Sequence, residues 1–234
     1  MGTPFGERYA VERKSVLPKS RHFIACEGRR TEYQYFKGLM QFAPELGISP
    51  AVEMIPLRHG PHTGSNPLHI YEETAALLAS SGHYRSDLDH VSVIVDRDRH
   101  SFTAHQLEQM LILCKQAGYR LCISNPCFEL WLLMHYSDLS EYDPLVLLEN
   151  KRIGNRTQVE RYLMEKLGGR YNKSRIHFLA FFRDRVPQAI SNARRFPSEA
   201  DHLKESVGSG VGSLIEALQQ SSSEETQYWT VCAP

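Results

Sequence analysis

Two aspartates separated by one residue, Asp96 and Asp98, follow directly on the β-branched run Val91, Val93, Ile94 and Val95 in "HVSVIVDRDRH". A continuous Val/Ile run reads as a central parallel strand buried on both faces, and open α/β sheets carry their functional groups just beyond the carboxyl ends of such strands. In an extended chain, residues two apart point the same way, so two carboxylates aimed together need a cation or protons between them. A third carboxylate, Glu27, follows the earlier apolar run "RHFIAC" and precedes Gly28. If those two strands are neighbours in one parallel sheet, Glu27 and the aspartates meet at a single edge. Such an all-oxygen set, with few competing nitrogen or sulfur ligands, suits Mg²⁺ or Mn²⁺ kept partly hydrated. Taken alone, the DxD pair is better read as surface turn residues or helix caps; its combination with Glu27 is what points to a site.

Other residues carry weaker signals. Arg29 and Arg30 flank Glu27 and could clamp a phosphate, or could simply be exposed first-turn arginines. Glu32 lies about one turn on, placed to back the ligands or to hold a second metal. Glu129 sits in the first turn of "PCFELWLL", where the helix dipole alone favours a carboxylate. Its neighbours Phe128, Leu130, Trp131 and Leu132 are apolar nearly all round, so the helix reads as buried, and a buried carboxylate needs a partner or a metal. His59 and His62 have ligand-like spacing but read as ordinary loop histidines, and Asn125 reads as a helix cap. No GxxxxGK[ST] loop is present, so the described motifs include no ATPase phosphate cradle. "GSGVGS" at 208–213 follows no strand and reads as a linker.

The elements that must position these groups follow from periodicity. Residues 21–26, 51–57, 91–95 and 119–124 read as strands, alternating with helices near 31–40, 66–80, 103–117 and 126–136. Thr31 and Gln34 have capping-box spacing, as do Thr157 and Glu160, while Gly118 and Gly168 read as helix stops. The expected fold is therefore α/β, a mostly parallel sheet flanked by helices, with a mainly helical C-terminal region. The expected divisions are an N-terminal extension (1–20), the α/β domain (21–140), a basic helical region (141–220) and a frayed tail (221–234).

The chain of 234 residues carries 27 basic and 27 acidic side chains, and zero net charge taken alone argues against a nucleic-acid partner. The charge is unevenly spread. Residues 151–195 hold twelve Lys or Arg against three acids, Glu160, Glu165 and Asp184, a net +9 that leaves −9 on the remainder. Such a segment is an electrostatic footprint for phosphates, with Arg170, Lys173 and Arg175 as candidate contacts; the alternative is a set of solvated helix faces pairing with the acidic part. The five cysteines form no CxxC pair and mostly lie in apolar runs, which suggests buried free thiols. Without a long apolar run or a signal-like opening, the chain is expected to be soluble and cytoplasmic, with no membrane partner.

In order and spacing, "CEGRRTEYQYF", "GSNPLHIYEE", "VIVDRDRH" and "ISNPCFELWLLMHY" resemble the RloB family. More broadly, a strand-Glu-Gly followed by a strand-DxD resembles the Toprim domain of topoisomerases, primases and overcoming-lysogenization-defect nucleases. The resemblance covers residues 20–140 well and the helical remainder loosely. An arginine stands in "CEGRRTE" where the family pattern suggests a lysine. The resemblance implies a Toprim fold, Asp96 and Asp98 as metal ligands, and Glu27 as acid/base glutamate and additional ligand. It also implies an association with restriction loci and abortive-infection defence. The expected activity is metal-dependent cleavage of DNA or RNA. The rival expectation is a non-catalytic subunit that binds metal or nucleotide and regulates a partner ATPase.

Overall fold

Apolar, β-branched runs separated by amphipathic stretches become alternating strands and helices. The computed structural model describes residues 20–28, 30–49, 52–57, 67–82, 84–98 and 102–231. In chain order the first elements are β1 (Ser20–Cys26), α1 (Thr31–Gln41), β2 (Val52–Leu57), α2 (Pro67–Ser80), β3 (His90–Asp96), α3 (Ala104–Ala117), β4 (Arg120–Asn125) and α4 (Phe128–Met134). A mainly helical stretch follows, with α5 (Pro144–Glu149), a hairpin of β5 (Arg152–Ile153) and β6 (Arg156–Thr157), α6 (Gln158–Lys166), α7 (Phe178–Phe181) and α8 (Val186–Ala193). The last elements are β7 (Gly208–Ser209) and α9 (Val211–Val231).

The main sheet has five strands in the order β2-β1-β3-β4-β7. The first four are parallel, and β7 closes the edge antiparallel to β4. Period-two alternation explains why the strands read as continuously apolar. Ala25, Val93, Val95 and Ile123 face one way, against Leu107 and Met110 of α3. Ile24, Cys26, Ile94 and Cys122 face the other way, in a core shared with α1, α4, α6, α8 and α9. The α/β architecture is as expected, and no helix among the described residues is long and apolar enough to cross a membrane.

Several local expectations are corrected. Gly208 and Ser209 are no linker: they are buried and pair with Asn125 and Ser124. A Cβ at Gly208 would lie 2.4 Å from the Pro197 carbonyl oxygen, so the chain can thread this crowded edge only with glycine. Thr31 and Gln34 form no capping box, because α1 begins after Arg30 without a side-chain cap and both residues are engaged elsewhere. Asn125 is not a cap either: Cys127 holds that position, and the Asn125 amide donates to the Leu203 carbonyl at 2.8 Å. The stretch 221–231, expected to fray, continues the α9 backbone helix. By contrast, the expected capping box at Thr157/Glu160 is formed, and a second one, Thr103/Gln106, opens α3. The four described cysteines are buried free thiols. Arg29, His59, His62, residue 66 at the expected start of the second helix and the extension before Ser20 lie outside the described residues.

Candidate functional site

From β1 the chain crosses outward to β2 on one side, then returns to place β3 on the other. The carboxyl ends of β1 and β3 therefore flank the point where connections diverge, and loops leaving in opposite directions open a crevice there. Glu27 and Asp96 occupy those two ends. The ladder continues past β1 through Glu27 N–H, which donates to the Ile94 carbonyl at 3.0 Å. In return, the Asp96 amide donates to Glu27 Oε2 at 3.1 Å. The strand-end carboxylates of the sequence reading are thus brought together by main-chain register.

Asp98 behaves differently. β3 ends at Asp96, so the period-two argument no longer applies two residues on, and Asp98 is exposed. It remains close enough to influence Glu27 electrostatically. Between the two aspartates, Arg97 is buried and donates to the Phe102 carbonyl at 2.6 Å, an anchor for the turn that the sequence reading missed.

Two helices bring further carboxylates. Glu32, in the first turn of α1, is buried, and its carboxylate lies over Gly28. A Cβ at residue 28 would fall 1.7 Å from Glu32 Oε2, so the absence of a side chain makes room for this approach. Glu129, in the first turn of α4, is also buried. The partner expected for it comes from the loop between α6 and α7. Tyr171 Oη donates to Glu129 Oε1 at 2.9 Å, and Lys173 Nζ stands 3.0 Å from the same oxygen. The Lys173 ammonium also pairs with Glu160, the capping-box residue of α6.

That loop is tied to α1 by the residues misread as its cap. Thr31 Oγ1 donates to the Lys173 carbonyl at 3.1 Å. The Gln34 side chain donates to the Ser174 carbonyl at 3.0 Å and accepts from the Ile176 amide at 2.9 Å. Arg30, a candidate phosphate clamp, instead bonds Ser174 Oγ at 2.8 Å.

Collecting carboxylates at the rim of a core displaces their titration. Burial raises Glu32 to about 7, helped by Glu129 and Glu27. Asp96 is pushed well above the carboxylate range by burial and then by Glu32, Glu27 and Glu129. Burial also raises Glu27, against the Asp96 amide bond and with Asp98 adding to the rise. Burial would lower Lys173, but Glu129 and Glu160 outweigh it and hold the ammonium charged.

The donor chemistry fits a hard divalent cation. Lys173 pairs with Glu129 and Glu160 and only partly offsets the rest: burial first, then Glu129 and Glu27 at Glu32, and Glu32, Glu27 and Glu129 at Asp96, keep these carboxyls raised, as expected of oxygen ligands gathered without a cation of their own. Among the described residues, no three His, Cys, Asp or Glu side chains form a ready-made metal cage, so holding an ion here requires the side chains to close in. A surface cavity of about 480 Å³ lies elsewhere, walled by residues such as Leu111, Tyr119 and Arg120, and none of these carboxylates lines it.

The basic segment is partly consumed internally. Lys151, Lys166, Lys173, Arg183, Arg194 and Arg195 form ion pairs with carboxylates of the same chain. Arg170 lies over the Phe181 ring at 5.1 Å and donates to the Leu167 carbonyl, and Arg175 is exposed.

A family model described as RloB-like protein matches residues 22–218. No curated protein and no solved structure matches the chain.

Proposed function

The chain belongs to the RloB-like family, and on that premise we propose that it is a metal-dependent Toprim-type nuclease that hydrolyses nucleic-acid phosphodiester bonds in anti-phage defence. The observation that carries the reading is the meeting of Glu27 and Asp96 at the switch point of a parallel sheet, with Glu32 and Glu129 behind them. Asp96, Asp98 and Glu27 would hold Mg²⁺ or Mn²⁺. When bound, such an ion polarises a phosphoryl oxygen and offsets charge developing in an in-line displacement.

The chain's own residues supply the rest. The Asp96 amide fixes Glu27 through Oε2, which orients the carboxyl to give or take a proton at Oε1. Its raised pKa brings it nearer to neutral pH, where a carboxyl serves both as acid and base. Gly28, next to Glu27, leaves the room into which the Glu32 carboxylate reaches. Arg170 and Arg175 are candidate phosphate contacts outside the cluster.

The test is incubation of the purified chain with DNA, tRNA and other RNA, with and without Mg²⁺ or Mn²⁺. Cleavage that needs the ion and vanishes in the Asp96→Asn/Asp98→Asn variant, with the fold and melting transition kept, supports the reading. No cleavage of any substrate with either ion sinks it. The internal pairing of half the basic segment favours a second reading, in which the chain binds metal or nucleotide without catalysis and regulates a partner ATPase.

A further inference from the structure

The Lys173 ammonium reaches from the rim of the molecule into the buried carboxylates. Its side chain is 51% exposed, while those of its partners Glu129 and Glu160 are 4% and 7% exposed. A flexible lysine would ordinarily lose such a position to solvent, because ordering its stem costs side-chain entropy. Here the main chain around it is fastened. Thr31 holds the Lys173 carbonyl, and Gln34 brackets Ser174 and Ile176. Tyr171, two residues before it, donates to the same Glu129 oxygen that Lys173 approaches.

We propose that Lys173 is a resident cation: it takes up the ligand capacity of Glu129 and Glu160, and so restricts the chain to one divalent ion, held by Glu27, Asp96 and Asp98. The inference rests on the proposed metal site and specifies its occupancy. Glu129 and Glu160 come from separate helices and converge on this one ammonium, so that without it two buried anions would be left to draw in a hydrated divalent ion. An ammonium is a compact point charge with three donors and can substitute there for the charge of a metal ion, though not for its coordination geometry. The tethered loop then delivers a positive charge beside the ion at a fixed position.

The experiment is Mn²⁺ titration of the full chain by calorimetry, with bound ion counted by electron paramagnetic resonance. The variants are Lys173→Gln, Lys173→Arg, Lys173→Gln/Glu129→Gln and Glu160→Gln. The parent and Lys173→Arg should bind one equivalent. Lys173→Gln should gain a second equivalent, which Glu129→Gln in the same chain removes. Glu160→Gln should leave the first equivalent within about threefold of its parental affinity, since Glu160 is outside that ion's shell. A Lys173→Gln chain with one equivalent at parental affinity overturns the proposal, as does a parent that binds two. If Lys173→Gln folds poorly, a loss of the first equivalent in Glu160→Gln overturns it independently. A parent that binds no Mn²⁺ while Lys173→Gln binds one sinks the metal-dependent nuclease but upholds Lys173 as the stand-in cation.

Discussion

Glu32→Gln should stabilise the metal-free protein. Glu32 is buried beside Glu129 and Glu27, and it titrates at about 7 rather than the ordinary 4.5. Its ionised form therefore destabilises the folded state by about 3 kcal/mol above pH 7, at about 1.4 kcal/mol per pH unit of displacement. Glutamine keeps the shape without the charge, and the attraction to Lys173 is already contained in that displacement, so the gain should be about 1–3 kcal/mol once the cluster relaxes. For a chain of this length that is about 3–10 °C in Tm. Because the folded pKa lies above the unfolded one, the penalty is absent below about 4.5 and develops as pH rises towards 7. The advantage of Glu32→Gln must therefore be full at pH 8 and close as pH falls to 4.5. Thermal melts of parent and variant in EDTA at both values measure it. A divalent ion that neutralises the cluster should narrow the gap at pH 8 by raising the parent more than the variant. A variant no more stable than the parent at pH 8, or a gap equal at the two pH values, would refute the reasoning from unneutralised carboxylates.

Glu27→Gln should keep most nucleic-acid binding and much of the metal affinity yet lose about 10²-fold or more in cleavage rate, the usual scale for general acid–base catalysis; single-turnover kinetics decide it, and a parental rate makes Glu27 a strand-end residue only. Nucleic-acid affinity should fall with salt at a slope of about −0.7 to −0.9 per phosphate contacted, and reversing Arg170 and Arg175 should flatten that slope. Filter binding across a salt series checks this, and an unchanged slope returns both arginines to the solvated surface. Gly28→Ala should destabilise the fold by about 1–3 kcal/mol by driving a methyl into the Glu32 carboxylate, whose Oε2 would lie 1.7 Å away. Urea unfolding of Gly28→Ala in a Glu32→Ala background should recover most of that loss, and equal losses in the two backgrounds would place the strain elsewhere.

The sequence alone determined the alternation of strands and helices, the buried character of β3 and the helix ends at Thr103, Gly118 and Thr157. These are short-range properties: apolar periodicity, a capping side chain three residues from its amide, and a glycine with positive φ at residue 118. The positions of Glu27 and Asp96 at neighbouring strand ends were legible for a related reason, since a polar residue ending a doubly buried strand is conspicuous in the chain itself, whereas Asp98 lies beyond the end of β3 and is exposed. The buried Glu129 also announced that it required a partner, without saying which.

Only the tertiary structure decided the rest. Tyr171 meets Glu129 across 42 positions, and Thr31 meets the Lys173 carbonyl across 142. No local pattern encodes such pairs, because they depend on how α1, α4 and α6 pack against one another. Thr31 and Gln34 had the spacing of a cap, but the docked loop offered stronger partners in the folded chain. Lys173 looked like one cation in a basic segment, and packing placed its charge between two buried carboxylates. Gly208 looked like a linker because a two-residue edge strand has no period to detect; its role came from the neighbours that leave no room for a Cβ. Side-chain chemistry and local backbone preference are written in order along the chain, whereas the neutralisation of charge in a low-dielectric site depends on which distant groups the fold brings within reach.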